Sequence, residues 1–468
     1  MKIEFKILYT LLILYFFSST LTAQQTSWYK TFNISKHNYQ YGNYVIQTLD
    51  GGYAVIARDN GGEKIYLLKV DRYGKQEWLK TIDSLRRSSC ILQKSDSSFI
   101  IAGSDFQNAK IINTDKEGNI IWLRSYSLNN EACSFYKIKL LNNGELIACG
   151  DIAYPSKAYI VKTDSSGNIL WQKTVSDSGL INALDIAVSG HHYYITGSSL
   201  NQGKLKTILI KFSEYGNLQW FKKIGSDKYG DGEYGLAITY EQANKLAVAG
   251  TLTDYTFPTG YIAKYDTSGN LLDRKFHNSI YRLSSMTKDS CGYALCGENR
   301  FGNNIRFIKT NLEGEEIYNR VLDISNKIFL FSININSTSD NGYVISGNAG
   351  PEDSSEVLVI KTDSTGYVQP VHIVTISSEI PMKFNLFQNY PNPFNPSTKI
   401  NYTIPNTQYT ILKVYDALGK EVAQLVNQKQ KAGSYEVDFD GKDLPSGIYF
   451  YKLSTGDFSD TKRMILLK

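Results

Sequence analysis

The sequence predicts an all-β protein: a seven-bladed β-propeller of four-stranded blades, closed by its N-terminal strand, followed by a small immunoglobulin-like β-sandwich. Three observations predict it. A strand–turn–strand phrase recurs seven times, all five tryptophans fall at one point of that phrase, and the repeat stops where the prolines gather.

The phrase runs from an apolar strand through a D-x-x-G turn into a second strand, as in "YLLKVDRYGKQEW", "IINTDKEGNIIW" and "YIVKTDSSGNILW". Its turn glycines are Gly74, Gly118, Gly167, Gly216, Gly269, Gly314 and Gly366, one about every 49 residues. Aspartate opens most of these turns because its carboxylate accepts a hydrogen bond from the backbone two residues on. Glycine closes them because the chain needs a positive φ to re-enter a strand. A second phrase, a strand ending in small residues, precedes each turn: "ELIACG", "LAVAG", "YALCG". With the alternating stretches around them, each copy supplies four strands, the size of a propeller blade. One such unit cannot bury both faces alone, whereas seven in a ring bury one another's.

Trp28, in "SWYKTF", matches the fourth strand of a blade but has no repeat before it. The seventh copy reaches Gly366 and lacks that fourth strand. Residues 27–33 are therefore expected to complete the last blade. Trp28, Trp78, Trp122, Trp171 and Trp220 are expected to pack between neighbouring blades; platforms for stacking sugars are the alternative. Asp273 and Tyr318 stand at this position in copies five and six, and those two junctions are expected to be looser. The D-x-x-G-x-x-x-W pattern resembles the tryptophan-docking repeats of quinoprotein-type propellers.

Residues 1–23 read as a signal peptide. Lys2 and Lys6 precede an apolar run from Ile7 to Phe17, and Leu21-Thr22-Ala23 forms a small-residue exit. Nothing beyond it is apolar enough to span a bilayer, so no transmembrane segment is expected in the mature chain. The net charge of +5 is small and dispersed, which speaks against nucleic acid. Five cysteines without C-x-x-C spacing indicate neither a disulfide framework nor a zinc site; Cys149 and Cys296 read as small core residues.

The propeller is assigned residues 24–370, an extended linker 371–382, and a second domain 383–468. Seven of the ten prolines lie between 370 and 445. Short alternating strands such as "INYTIP", "YEVDF" and "IYFYKL", separated by Gly, Asn and Pro turns, predict the sandwich. The prolines of "NYPNPFNP" are expected to hold that segment extended along a sheet edge. The stretches "NYPNPFNPST" (389–398), "VYDALGKEV" (414–422), "AGSYEVDFDG" (432–441), "LPSGIYFYKL" (444–453) and "TKRMILLK" (461–468) are similar to the type A C-terminal sorting domain of the type IX secretion system of Bacteroidetes. The resemblance implies export across both membranes to the cell surface or beyond, with the secretion machinery as partner and removal of the domain by a cut within 370–382. Pro391, Pro393, Gly433, Tyr435, Gly447, Tyr449 and Lys462 match motif positions of that family and are expected to serve recognition or fold.

No catalytic motif, metal set or cofactor site is read from the sequence. The five histidines show no ligand spacing, and no G-x-S-x-G, H-E-x-x-H, P-loop or dinucleotide fingerprint occurs. Asp227, Asp231 and Glu233, in the most acidic loop, lack the D-x-D-x-D-G spacing of a calcium site and are read as a solvated inter-blade loop. The expectation is an exported, non-catalytic binding protein whose propeller recognises a polysaccharide or a surface protein. The alternative is a propeller hydrolase or lyase acting on polysaccharides.

Overall fold

The computed structural model describes residues 27–37, 39–59, 64–154, 156–225, 232–253, 258–299, 304–322, 334–350, 354–368, 373–377, 381, 383–441 and 444–468. The signal-peptide segment, Asp227 and Asp231 lie outside them. The described residues are all β, in two compact units divided between Val368 and Gln369. Among them no helix is long and apolar enough to cross a membrane.

The first unit holds five four-stranded antiparallel sheets and one eight-stranded sheet. The latter is two such blades joined by a single parallel bridge, Leu205 to Gly232. In chain order the blades span 40–82, 87–126, 133–175, 180–224, 232–277 and 282–322. The seventh combines Asn334–Ser337, Tyr343–Ala349 and Glu356–Thr362 with the first strand of the chain, Trp28–Phe32. That strand pairs antiparallel with Glu356–Thr362, Trp28 opposite Lys361 and Phe32 opposite Val357, so the N-terminal strand closes the ring. Each inner strand lies against the inner strand of the next blade, and the seventh lies against the first. Buried Gln40 secures the closure: its side chain bonds Ile34 N, Ser35 O and His37 O, and its backbone N–H reaches Ser355 O at 3.0 Å.

The recurring small residue at the end of each second strand has a steric cause. The inner strands of blades 1 to 6 each carry a β-bulge, an extra residue that bends the strand. The bulge pushes a carbonyl toward the second strand: a Cβ on Gly150 would lie 1.8 Å from Ser134 O.

The turns follow the expected chemistry. In blade 3, Asp164 Oδ1 accepts from Ser166 N at 2.9 Å and from Asn168 N at 2.8 Å, and Gly167 sits at φ 81°. The tryptophan of one blade rests on the turn glycine of the next. The Trp122 ring approaches the Cβ position of Gly167 to 2.9 Å; Trp28, Trp78, Trp171 and Trp220 meet Gly74, Gly118, Gly216 and Gly269 in the same way. The rings are half-buried, because the outer strand lies at the rim where blades splay apart. At the two substituted positions other side chains cover the glycine: Lys275 meets Gly314, and Phe307 from the third strand of blade 6 meets Gly366.

The second unit is a sandwich of two four-stranded antiparallel sheets. One runs Ile373–Ser377, Gly433–Asp440, Ser397–Ile404, Asn385–Leu386; the other runs Glu421–Gln430, Gln408–Asp416, Gly447–Thr455, Phe458–Leu466. Tyr402, Val437, Val414, Tyr451 and Met464 meet in its core. One expectation is corrected. The linker assigned to 371–382 contains a strand of the sandwich, since Ile373–Ser377 pairs along Gly433–Asp440. The proline segment lies along sheet edges, as expected, and bridges two of them: Tyr390 pairs with Lys399 on the outer side of one sheet, and buried Phe394 bonds Ile465 and Leu467 at the edge strand of the other. Between the two edges Phe394 turns into the core at the end of the sandwich.

Candidate functional site

The inner strands place a ring of side chains around the axis of the first unit. The residues directly after the six bulges are Tyr44, Cys90, Lys137, Asp185, Ala237 and Ser285. The bulge residues themselves, Asn43, Ser89, Tyr136, Leu184, Leu236 and Ser284, share with most of this ring a cavity of about 260 Å³. Ser88, Met286 and Asn334 complete its lining. Most lie near the middle of their strands, so the cavity sits within the ring on its axis.

The wall is divided. Blades 6, 7, 1 and 2 contribute serine hydroxyls and asparagine amides; blades 4 and 5 contribute Leu184, Leu236 and Ala237. Between these arcs stands a charged pair. Lys137 Nζ donates to Tyr44 Oη at 2.8 Å, joining blades 3 and 1, and lies 3.6 Å from Asp185 of blade 4. Asp185 Oδ1 accepts from Ile186 N and Oδ2 from Ile238 N, both at 2.9 Å, which ties blade 4 to blade 5. Burial pushes the Tyr44 phenol up to about 12 despite Lys137 beside it. Burial works against the Lys137 ammonium, but the Asp185 carboxylate and the Tyr44 oxygen outweigh it and hold the amine well above its ordinary value. At neutral pH the cavity therefore offers a phenol, an ammonium and a carboxylate already bonded to two backbone amides.

Sequence reasoning missed this cluster. Lys137, Asp185 and Tyr44 belong to different blades and to no repeated phrase, and their only sequence signal is that they follow the bulge position.

Of the residues singled out from sequence, the five tryptophans lie at the outer blade junctions, away from the axial cavity. Glu233, from the acidic loop, is buried and makes a bidentate pair with Arg274 at 2.9 and 3.1 Å. Among the described residues no three His, Cys, Asp or Glu side chains gather as a metal site. Cys149 and Cys296 are buried and free, as are Cys90 and Cys133; Cys291 is exposed and free.

In the second unit, Tyr435 Oη donates to Lys431 O at 2.6 Å and Tyr449 Oη to Pro445 O at 2.8 Å. Both bonds reach four residues back, a tyrosine corner at each strand start. Gly433 begins one of those strands opposite Ile404, and a Cβ at Gly447 would meet nothing closer than Pro445 O at 3.9 Å. The Pro391 carbonyl accepts from Thr398 Oγ1 and Asn389 Nδ2. Pro393 directly precedes core residue Phe394. Lys462 is half-buried, 3.7 Å from Asp460.

Residues 388–467 match the family model described as the secretion system C-terminal sorting domain. The second unit is a type IX sorting domain. The sorting domain marks the chain for export to the cell surface or the extracellular space. No curated protein sequence matches the chain. Among solved structures it is similar to the Dos1 propeller (10% identity, 72% of this chain and 82% of that chain, TM-score 0.46). A PL25 ulvan lyase bound to a glucuronate–rhamnose-3-sulfate unit is similar at 8% identity (72% and 97%, TM-score 0.46). PorZ, a surface component of the type IX secretion system of Porphyromonas gingivalis, is similar at 11% identity (91% and 75%, TM-score 0.26). The propeller assignment rests on the sheet topology of this chain itself.

Proposed function

We propose that this exported protein is a non-catalytic binding protein whose propeller recognises a polysaccharide or a surface protein through its axial end. The sorting domain's partner is the type IX secretion machinery. The observation that carries the reading is the bonding of the axial cluster. Tyr44 stays a phenol, Lys137 stays an ammonium, and both Asp185 oxygens accept backbone N–H groups. The cavity thus supplies donors and an apolar wall, with no uncommitted base among the described lining residues. Glycoside hydrolysis asks for two carboxylates flanking the bond, and Asp185 is the one carboxylate among the described lining residues.

The test is retention of the full chain on a broad polysaccharide panel, with reducing ends and unsaturated products followed in parallel. Retention without products supports the reading. Products would replace it with a hydrolase or lyase, and absence of retention would direct the search to protein ligands.

A further inference from the structure

We infer that the axial cavity receives a single neutral pyranose at the end of a glycan chain, its C–H face on Leu184 and Leu236 and its hydroxyls toward Ser89, Ser284 and Asn43. This rests on the binding reading above and gives it a ligand class.

Five features carry the inference. The volume, about 260 Å³, lies below the range of cavities that enclose drug-sized ligands and suits one ring with its substituents. The division of the wall, hydroxyls and amides on one arc and leucines on the opposite one, matches a molecule with a polar rim and an apolar face. The Ser89 and Ser284 hydroxyls are not committed to other described side chains, whereas Asn43 Nδ2 already donates to Ser88 O at 3.0 Å and keeps its carbonyl for a ligand hydroxyl.

The charge balance selects for neutrality. Lys137 and Asp185 compensate each other 3.6 Å apart. A uronate would bring a second carboxylate toward Asp185 without a second cation, and an amino sugar or peptide amine would bring a second cation toward Lys137. Either leaves an uncompensated charge in a confined site. A free peptide terminus fails for the same reason.

The geometry also selects for a chain end. The Lys137–Tyr44 bond links two non-adjacent blades across part of the axis. A polymer threading the ring would have to break it, whereas a terminal residue fills the cavity without passing through the axis.

The experiment titrates the full chain with methyl glycosides of a hexose, a 6-deoxyhexose, an N-acetylhexosamine, a hexuronic acid and a hexosamine, followed by saturation-transfer NMR and calorimetry. At least one neutral glycoside is expected to bind, at least tenfold more tightly than the uronate and the amine. A trisaccharide ending in the same sugar is expected to bind within about threefold of its methyl glycoside, since the remaining residues lie outside. Leu236→Asn is expected to weaken binding about tenfold, the effect of losing roughly 1.4 kcal/mol of apolar contact. Ser89→Phe, which fills the cavity, is expected to abolish binding while the melting temperature stays near the parent's. Tighter binding of the uronate or amine, or glycan binding unchanged by Ser89→Phe, overturns the inference and leaves the binding reading intact. If the full chain retains no glycan from the polysaccharide panel, the glycan form of the binding reading fails, and the inference fails with it.

Discussion

Blades 3 and 4 meet through Trp171, whose ring lies against Gly216 and whose Nε1 donates to Glu214 O at 3.0 Å. Blades 6 and 7 meet without a tryptophan. There Phe307 covers Gly366, and a buried ion pair crosses toward the next blade: Lys309 Nζ bonds both Asp289 oxygens at 2.8 Å, and Asp289 accepts from the Tyr343 hydroxyl of blade 7. Blades 5 and 6, also without tryptophan, repeat the device, with Lys264 bonded to Glu241 and to the Tyr293 hydroxyl of blade 6. At blades 2 and 3 the position of the lysine is Asn113, and Trp122 is present. The contrast teaches that the cover of the turn glycine is what differs: an indole at one junction, the Phe307 ring or the Lys275 stem at the others. The charge-assisted pair is common to both kinds of junction: at blades 3 and 4 Lys162 Nζ lies 2.7 Å from Glu145 and faces the Tyr193 ring of blade 4.

The largest disruption should come from the one junction that unites the two ends of the propeller sequence. Deleting residues 24–34 removes the pairing with Glu356–Thr362 together with Trp28, Phe32 and Ile34, apolar contacts worth about 5 kcal/mol or more. The variant should lose cooperative unfolding of the propeller in a urea titration; a parent-like midpoint would refute ring closure. Next, Trp171→Ala should cost about 3 kcal/mol, at the low end for a large aromatic because the ring is half-exposed. Unchanged stability would refute its packing role.

Lys309→Met keeps the apolar stem but leaves Asp289 without its cation, a loss of about 2 kcal/mol by analogy with other broken buried pairs. Combined with Trp171→Ala it should be additive within about 0.5 kcal/mol, since the junctions share no partner. Strong coupling would mean that the ring transmits strain between them.

Acid should act on the ion-paired class of junction. Burial raises Asp50, Asp289 and Asp340, but hydrogen bonds from their lysine, threonine or tyrosine partners more than reverse it, and all three end below the ordinary value of 3.8. A carboxyl whose folded value lies below its unfolded one contributes stability that is complete above the unfolded value and is lost as pH falls through the folded value. Stability should therefore fall below about pH 4, and Asp289→Asn should flatten part of that acid limb in a pH series of urea midpoints.

The smallest effect belongs to the sorting domain. Tyr435→Phe and Tyr449→Phe each remove one corner hydrogen bond and should cost about 1 kcal/mol, read from the domain's unfolding transition. A loss of export without loss of stability would instead assign the hydroxyls to recognition.

The periodic features were legible in the sequence because a repeat imposes the same local physics on every copy. The D-x-x-G turns need a side-chain acceptor and a positive φ, and the tryptophans need a neighbour without a Cβ, so both show as fixed spacings. The unpaired outer strand at Trp28 announced its partner because one copy lacked what another had in excess. The interrupted register of the inner strands was not legible. A bulge adds one residue without changing composition, yet it turns Tyr44, Lys137 and Asp185 toward one axis from blades far apart in sequence. The lysine in "YLLK", "YIVK" and "YIAK" was visible as a letter, but its burial depends on an acid and a tyrosine from other segments. Ile373–Ser377 is β-branched as strands are, but its pairing depends on an edge offered by residues sixty positions away. By itself the sequence determined the blade, its turn, its docking tryptophan and the sorting motifs, since each is a short-range consequence of residue type and spacing. Only the tertiary structure decided which side chains share the axial cavity and with what protonation, because burial and proximity to opposite charge are properties of the closed ring.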